Sequence, residues 1–352
     1  MNTDSLDGAT PFTPKERLLR VLRREETDRP PVACMGGMMN AAIVEIAGNC
    51  PATLPGAHWD ADQMAELALA VAKQTGFENL AVPFCMTVEA ETLGSSVDLG
   101  TLACEPKIVS EPYQSIAEVP DLDRESLLGA GRIPVVLKAV ERLAAAGTDM
   151  PIIVSLTGPI STAASLVNPP AFFKELRKKR EDAHRLLSRI SLFLGEYARR
   201  AVRAGADVIA IGDPSATGDI LGPALFEEFA VPYVREVVRA AHAQNAPAIV
   251  HICGDTDSCR ALWPLMESEA VSVDAMINLA KLKSFLPGIV TMGNLSTYML
   301  EFGTADRVAR RTEKLIRDGV DIIAPACGLS TSTKLPVIRA MTDTVRSRRR
   351  GT

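Results

Sequence analysis

The sequence has no apolar run approaching the roughly 20 residues that a membrane-spanning helix needs. Positive charge is not in excess either. Its 38 Lys and Arg face 43 Asp and Glu, for a net charge of −5. That balance lacks the electrostatic footprint of a nucleic-acid binder or of an anionic membrane surface. The basic stretches, Arg177-Lys178-Lys179-Arg180 and Arg346 to Arg350, are short and read as solvated surface. Met1 to Pro14 is polar, with Gly and Pro, and carries no signal-peptide apolar core. The expectation is a disordered leader over residues 1–12, a basic tail over 347–352, and a cytoplasmic protein. Seven cysteines form an odd, scattered set. Such a set argues against a disulfide framework and for buried thiols or metal ligands in a reducing compartment. Histidine is scarce, at four residues, so a histidine placed beside a cysteine carries weight.

What is present has an ordinary globular balance, 47% hydrophobic and 23% charged over 352 residues. Thr13-Pro14-Lys15-Glu16 reads as a helix start, with Thr13 as N-cap, Pro14 at the first turn and Glu16 completing a capping box. A pattern then repeats of a short apolar run, a Gly/Pro/polar break and an amphipathic helix. Strands are predicted over Pro31–Met35, Asn79–Phe84, Pro151–Leu156, Asp207–Gly212, Ala248–Cys253, Val271–Ile277, Gly288–Met292 and Asp321–Pro325. The main helices are predicted over Asp62–Gln74, Pro134–Ala146, Glu181–Ala204, Pro223–Gln244, Ala305–Asp318 and Pro336–Arg346. Eight buried strands alternating with helices predict an α/β fold, a (β/α)8 TIM barrel over residues 13–346 with an N-terminal helical extension. Ser96–Val109 alternates and contains turn residues, which predicts a β-hairpin insertion near the barrel mouth.

Two junctions fix the polarity. Ala204-Gly205-Ala206-Asp207 and Asp318-Gly319-Val320-Asp321 each end a helix at glycine and lead an apolar strand. The far ends of those strands, Asp213 and Cys327, then belong at the C-terminal face, where barrel enzymes place their chemistry. Other strand ends with polar or reactive residues are Thr157-Gly158-Pro159, His251-Ile252-Cys253-Gly254, Ser272-Val273-Asp274 and Gly293-Asn294-Leu295. Alternate strand residues share a face, so His251 and Cys253 project together. With Cys327 they make one imidazole and two thiolates, a three-ligand zinc set with an open fourth position. Cys259 competes for a ligand role, and Cys34 is a further mouth-facing option. His58, His184 and His242 read as surface or packing residues. Two thiolates donate charge to the metal, which favours thiol alkylation over hydroxide chemistry.

His251-x-Cys253 with the distant Cys327 resembles the zinc signature of the methylcobamide:coenzyme M methyltransferases, within the uroporphyrinogen decarboxylase superfamily. Gly131-Arg132-Ile133-Pro134, Gly205-Ala206-Asp207-Val208, Leu80 to Thr87, Met292-Gly293-Asn294 and Ala324-Pro325-Ala326-Cys327-Gly328 extend the resemblance from about Lys15 to Thr344. It implies a TIM barrel that takes a methyl group from a methylcobamide on a corrinoid protein and passes it to a small thiol activated by Zn2+, coenzyme M in the first instance. His251, Cys253 and Cys327 match the zinc ligands. Asp274 stands where the family carries an acidic residue able to fill the fourth position, but as Asp where Glu is expected, one methylene shorter. Asp213 is expected to orient a bound group or a ligand histidine, and Asn294 to lie on the substrate side. The decarboxylases carry an arginine-rich clamp after the first strand. Here Cys34-Met35-Gly36-Gly37-Met38-Met39-Asn40 has no arginine, and Met35 and Gly36 are expected either to pack or to shape a mouth for the corrinoid. The alternatives are homocysteine or another small thiol as acceptor, a decarboxylase-like enzyme, and a non-catalytic protein that binds a corrinoid protein.

Overall fold

The structure is a computed structural model, described over residues 12–348; the leader expected over 1–12 and the tail over 347–352 fall almost wholly outside that range. The Pro14–Leu22 helix starts as predicted. Thr13 accepts from the Glu16 amide, and the Glu16 carboxylate accepts in turn from the Thr13 amide. The strands of the main sheet are β1 (Leu80–Val82), β4 (Ile152–Thr157), β5 (Val208–Gly212), β6 (Ala248–Ile252), β7 (Ala270–Val273), β8 (Val290–Leu295) and β9 (Ile322–Pro325). All pair in parallel, in the order β1-β4-β5-β6-β7-β8-β9. A separate antiparallel hairpin pairs β2 (Ser96–Asp98) with β3 (Lys107–Ser110), as expected for the insertion.

The first predicted stave of the barrel, Pro31–Met35, differs from expectation. Residues 31–35 make a single bridge, Val32 to Ile323, rather than a strand. Pro30 and Pro31 bring no N–H to a ladder. Side chains replace the missing partners on the β1 side. Glu78 accepts from the Val32 amide at 3.2 Å, and the Asn79 side chain both accepts from and donates to the Cys34 backbone, each at 2.8 Å. Backbone bonds close the seam, from Ala33 N to Ile323 O (3.0 Å) and from Glu78 N to Val32 O (2.9 Å). The chain thus closes as a (β/α)8 barrel with one stave held largely by side chains. The predicted Val271–Ile277 strand stops at Val273, because Asp274 opens a turn that the Ile277 amide closes at 3.1 Å. The predicted Pro223–Gln244 helix starts just after a break at Gly222 and is interrupted by a wide turn over Phe226–Ala230 before Val231–His242.

Two apolar layers follow from strand alternation. Ala33, Met35, Ile153, Val208, Ala210, Ile249, Ala270, Val290, Met292, Ile322 and Ala324 fill the barrel interior, and Leu18, Val21 and Leu22 of the first helix plug its N-terminal end. The opposite strand faces pack the outer helices. Residues two positions beyond an interior residue face inward again. After Ile249 these are His251 and Cys253; after Ala270, Ser272 and Asp274; after Met292, Asn294. The predicted junction aspartates act at the closed end, where Asp207 accepts from the Ile152 amide and Asp321 from the Thr291 amide, each at 2.9 Å. Among the described residues, no helix is long and apolar enough to cross a membrane.

Candidate metal centre

Strand β6 delivers His251 and Cys253 to the mouth, and the turn after β9 delivers Cys327. His251 Nε2 lies 2.9 Å from Cys253 Sγ, and Cys253 Sγ lies 3.0 Å from Cys327 Sγ. All three donor atoms fall within 4.8 Å of one another. His251 is fully buried and the two cysteines are half-buried, so the group opens to one side only. A tetrahedral zinc would hold such atoms about 3.5–3.8 Å apart at ordinary bond lengths. The group meets that requirement with a spreading of under about 1 Å, and its soft donors suit a borderline-soft ion.

The other ring nitrogen is fixed as well. His251 Nδ1 lies 2.9 Å from Ser272 Oγ, across the β6–β7 register that pairs the two residues. A partner on the far nitrogen sets ring orientation and leaves Nε2 directed at the thiols. Ser272→Ala is expected to weaken metal retention about tenfold or more, the usual effect of removing such a partner. Chelator competition would measure it. Unchanged retention would show that packing alone holds the ring.

The thiols act as a pair. Hydrogen bonding from Cys253, with help from His251, holds Cys327 well below the usual thiol range. Donating that hydrogen bond, together with burial, pushes Cys253 up. The pair therefore keeps one proton between two sulfurs, and a metal cation would displace it.

The remaining predicted residues divide. Asp274 lies at the rim outside the three-donor group, and its oxygens accept from the Gly254 amide at 3.3 Å and the Met276 amide at 3.2 Å. It stands beside Cys253 with its carboxylate turned to backbone amides. Asn294 is buried and donates from Nδ2 to Asp274 O (2.8 Å) and Ile277 O (2.7 Å), bracing the rim turn. Asp213 is wholly buried and does not reach His251 with its side chain. It accepts from Ile160 N (3.0 Å), Ser161 N (2.7 Å) and Ser161 Oγ (2.6 Å), capping the Pro159–Leu166 helix from the neighbouring strand. Burial pushes its carboxyl up to about 6. Gly158 leaves room for it, since a Cβ there would sit 2.4 Å from the Asp213 Cβ.

Met35 points into the barrel interior, and Gly36 (φ +88°) packs against Ala81, so neither lines the mouth. Met38 does, with its sulfur 4.0 Å from Cys327 Sγ. Cys34 faces the outer layer, hydrogen-bonded to the Met39 carbonyl, with its thiol pushed up to about 12 by burial. Cys259 is buried beside Ser258, outside the group. His58 is buried with neither ring nitrogen partnered among the described residues. His184 pairs with Tyr233 and Glu228, and His242 with Glu269.

Sequence reasoning missed Met38, the Ser272 partnership and Glu105. Glu105 lies exposed in the hairpin loop, with its carboxyl raised by partial desolvation and by the charge of Cys327. That loop is tied to the turn beyond Cys327 by Thr331 Oγ1 donating to Ala103 O at 2.9 Å. Only Ser272 left a signal in the sequence, its inward parity one strand over.

The family model described as uroporphyrinogen decarboxylase (URO-D) matches residues 13–348. A methylcobamide:CoM methyltransferase, MtbA, of Methanosarcina acetivorans is 32% identical over 336 residues, 95% of this chain and 98% of the relative. A methylcobamide:CoM methyltransferase, MtaA, of Methanosarcina barkeri is 30% identical, covering 94% and 96%. The solved structure of a methyltransferase from Methanosarcina mazei superposes with a TM-score of 0.89 at 30% identity, over 95% of this chain and 98% of that one. The chain belongs to the uroporphyrinogen decarboxylase family, in its methylcobamide:CoM methyltransferase branch.

Proposed function

We propose that this methyltransferase moves a methyl group from a protein-bound methylcobamide to a small thiol, with Zn2+ held by His251, Cys253 and Cys327. The observation that carries the reading is the convergence of three soft donors at the open end of a barrel. The relatives' names bring methylcobamide as donor and coenzyme M as first acceptor. Bound there, the ion would lower the thiol pKa and keep the acceptor sulfur as a thiolate at neutral pH.

The chain's own residues do the positioning. Ser272 orients the His251 ring. Met38 and Met86 wall the approach; Met86 sits between Gly37 and Gly212, where a Cβ on either glycine would lie 3.7 or 3.6 Å from its side chain. Small residues and flexible thioethers leave a slender, apolar entrance. In the transfer, the acceptor sulfur's lone pair forms the S–CH3 bond as the Co–C bond breaks. That bond's electron pair stays on cobalt, taking it from cobalt(III) to cobalt(I), and the thiol proton leaves to solvent. No arginine lies on residues 34–46, so that segment offers no fork for a polycarboxylate.

The test uses the full chain with free methylcobalamin and coenzyme M or homocysteine. Cobalamin demethylation should require both thiol and zinc and stop on chelation. Thiol-dependent demethylation that persists at full rate in chelated, metal-free protein would overturn the reading.

A further inference from the structure

We propose that Tyr298 and Phe302, with Met276 on the adjoining loop, form the docking surface for the protein that carries the methylcobamide. The inference rests on the methyl-transfer reading above and places that reaction's macromolecular partner on one side of the mouth.

It starts from where the protein leaves apolar side chains in water. Nine large hydrophobic side chains are exposed among the described residues. Six of them, Trp59, Val109, Ile220, Met276, Tyr298 and Phe302, lie on segments between the C-terminal end of a stave and the outer helix that follows it. Single exposed hydrophobics are ordinary, but scatter would spread them over the whole surface. Here they gather on the face that carries the metal centre. The three most exposed belong to two adjacent loops, Tyr298 at 73% and Phe302 at 71% after β8, and Met276 at 64% after β7. Clustered exposed apolar surface marks an interaction site, and Tyr, Phe and Met are residue types enriched in interfaces.

Local structure holds the two rings outward. The helix Thr297–Phe302 is capped by Ser296, which accepts from the Met299 amide at 3.3 Å. It buries Leu300, so Tyr298 and Phe302, each two positions away, share the opposite face. Their ring centroids lie 4.8 Å apart, so the pair makes one aromatic surface. Glu301, between Leu300 and Phe302, accepts from Ser332 Oγ at 2.6 Å and Thr333 Oγ1 at 2.8 Å. That ties the helix to the turn that begins at Cys327. Met276 is tied to the other cysteine, since the Asp274 carboxylate accepts from both the Met276 and the Gly254 amides. In the sheet, β7 and β8 stand between β6 and β9. The patch therefore sits between the strands that deliver Cys253 and Cys327.

The reaction identifies the occupant. The methyl group arrives on the cobalt of a broad macrocycle, and the entrance is slender, so the cobalt has to be held over the mouth from outside. A carrier protein that holds it there rests on the rim, and this patch is the rim's most exposed apolar part. A second copy of this chain fits less well. A two-fold contact would set Asp219, Asp255 and Asp274 of one rim against the same residues of the other. Like charges so placed disfavour the pairing. On segments 213–225, 253–262, 274–280, 295–304 and 326–335 the only cations are Arg260 and Lys334. Arg260 is bonded to Asp257, and Lys334 pairs with Glu45.

The experiment compares two methyl donors on the zinc-loaded full chain, with coenzyme M as acceptor. One is free methylcobalamin; the other is a methylated corrinoid protein purified from the source organism by its cobalt content. The double variant Tyr298→Ser with Phe302→Ser, and Met276→Ser alone, should keep kcat/KM for free methylcobalamin within about twofold of wild type, as for other surface substitutions. With the protein-bound donor the double variant should lose about tenfold or more, chiefly through KM, and Met276→Ser about threefold, the scale for truncating interface anchors. Leu265→Ser, at an exposed hydrophobic on the segment leading into the N-terminal end of β7, should change neither rate. Equal losses with both donors, or no loss with the protein-bound donor, would overturn docking at this patch. A wild-type dimer that the double variant dissociates in sedimentation would also overturn it, by assigning the patch to a second copy. So would a corrinoid protein that never outruns free methylcobalamin. Wild-type protein that demethylates neither donor would instead remove the methyl-transfer reading, and the docking with it.

Discussion

Cys253→Ala and Cys327→Ala are each expected to strip the protein of its metal and to lower thiol-dependent demethylation of methylcobalamin by roughly a thousandfold, about 4 kcal/mol of barrel-mouth chemistry. Each substitution removes one of three donors that lie within 4.8 Å of one another. Two donors cannot enclose an ion that prefers four ligands, and the nearest spare carboxylate, Asp274, is committed to the Gly254 and Met276 amides. The fold should survive. Both cysteines are half-buried at the mouth and outside the two apolar layers. Circular dichroism and thermal unfolding of the metal-free proteins should therefore match wild type. Acid should act in the same direction as the mutations. The sulfur pair retains a proton on Cys253 that a metal has to displace, so lowering the pH favours the protonated pair and releases metal. Full zinc content together with full demethylation in either variant would sink the metal centre.

Much of this centre was readable from strand alternation. His251 and Cys253 lie two residues apart on an apolar run, and that parity alone puts them on one face. Cys327 followed from a second apolar run with a glycine-led start, and the barrel then brought both ends to one mouth. The errors have a common physical origin. Asp213 also ends a strand, but its carboxylate caps a helix that begins one β–α unit earlier in the chain, a contact of sequence separation 53. Met35 and Met38 are three residues apart in one Met- and Gly-rich stretch. Which of them reaches Cys327 depends on the turn at Gly36 and Gly37, both at positive φ. Glu105 needed the hairpin's placement over the mouth, which Thr331 secures from 228 residues away. Residues within one strand were legible; residues whose role depends on how separate loops meet were not.

The same limit applies to the closure of the barrel, where the second large effect is expected. Glu78→Ala should lower stability by about 3–5 kcal/mol, the range for removing one member of a buried ion pair. Glu78 lies just before β1 and is almost wholly buried. It accepts from Arg17 Nη1 at 3.0 Å, from Arg29 Nη1 at 2.7 Å and Nη2 at 2.6 Å, and from the Val32 amide at 3.2 Å. Arg17 is 3% exposed. Asp28 would remain to it, through bonds of 2.7 and 2.8 Å, but one carboxylate would then face two guanidinium groups. The Val32 amide would also lose its side-chain acceptor, on the one stave that has only a single bridge to its neighbour. The destabilisation should therefore combine uncompensated buried charge with a weakened seam. Glu78→Gln separates the two. It keeps an acceptor for Val32 while removing the charge, and should recover part of the loss. The double variant Arg17→Met with Glu78→Met removes charge from both sides and should be less destabilised than the sum of its single variants, because the two residues are in contact. Denaturant midpoints of wild type, Glu78→Ala, Glu78→Gln, the two single Met variants and the double variant would measure this. A Glu78→Ala loss below about 1 kcal/mol, the scale of a surface pair, would mean that solvent reaches the seam and that the backbone bonds of Ala33 and Glu78 close the barrel unaided.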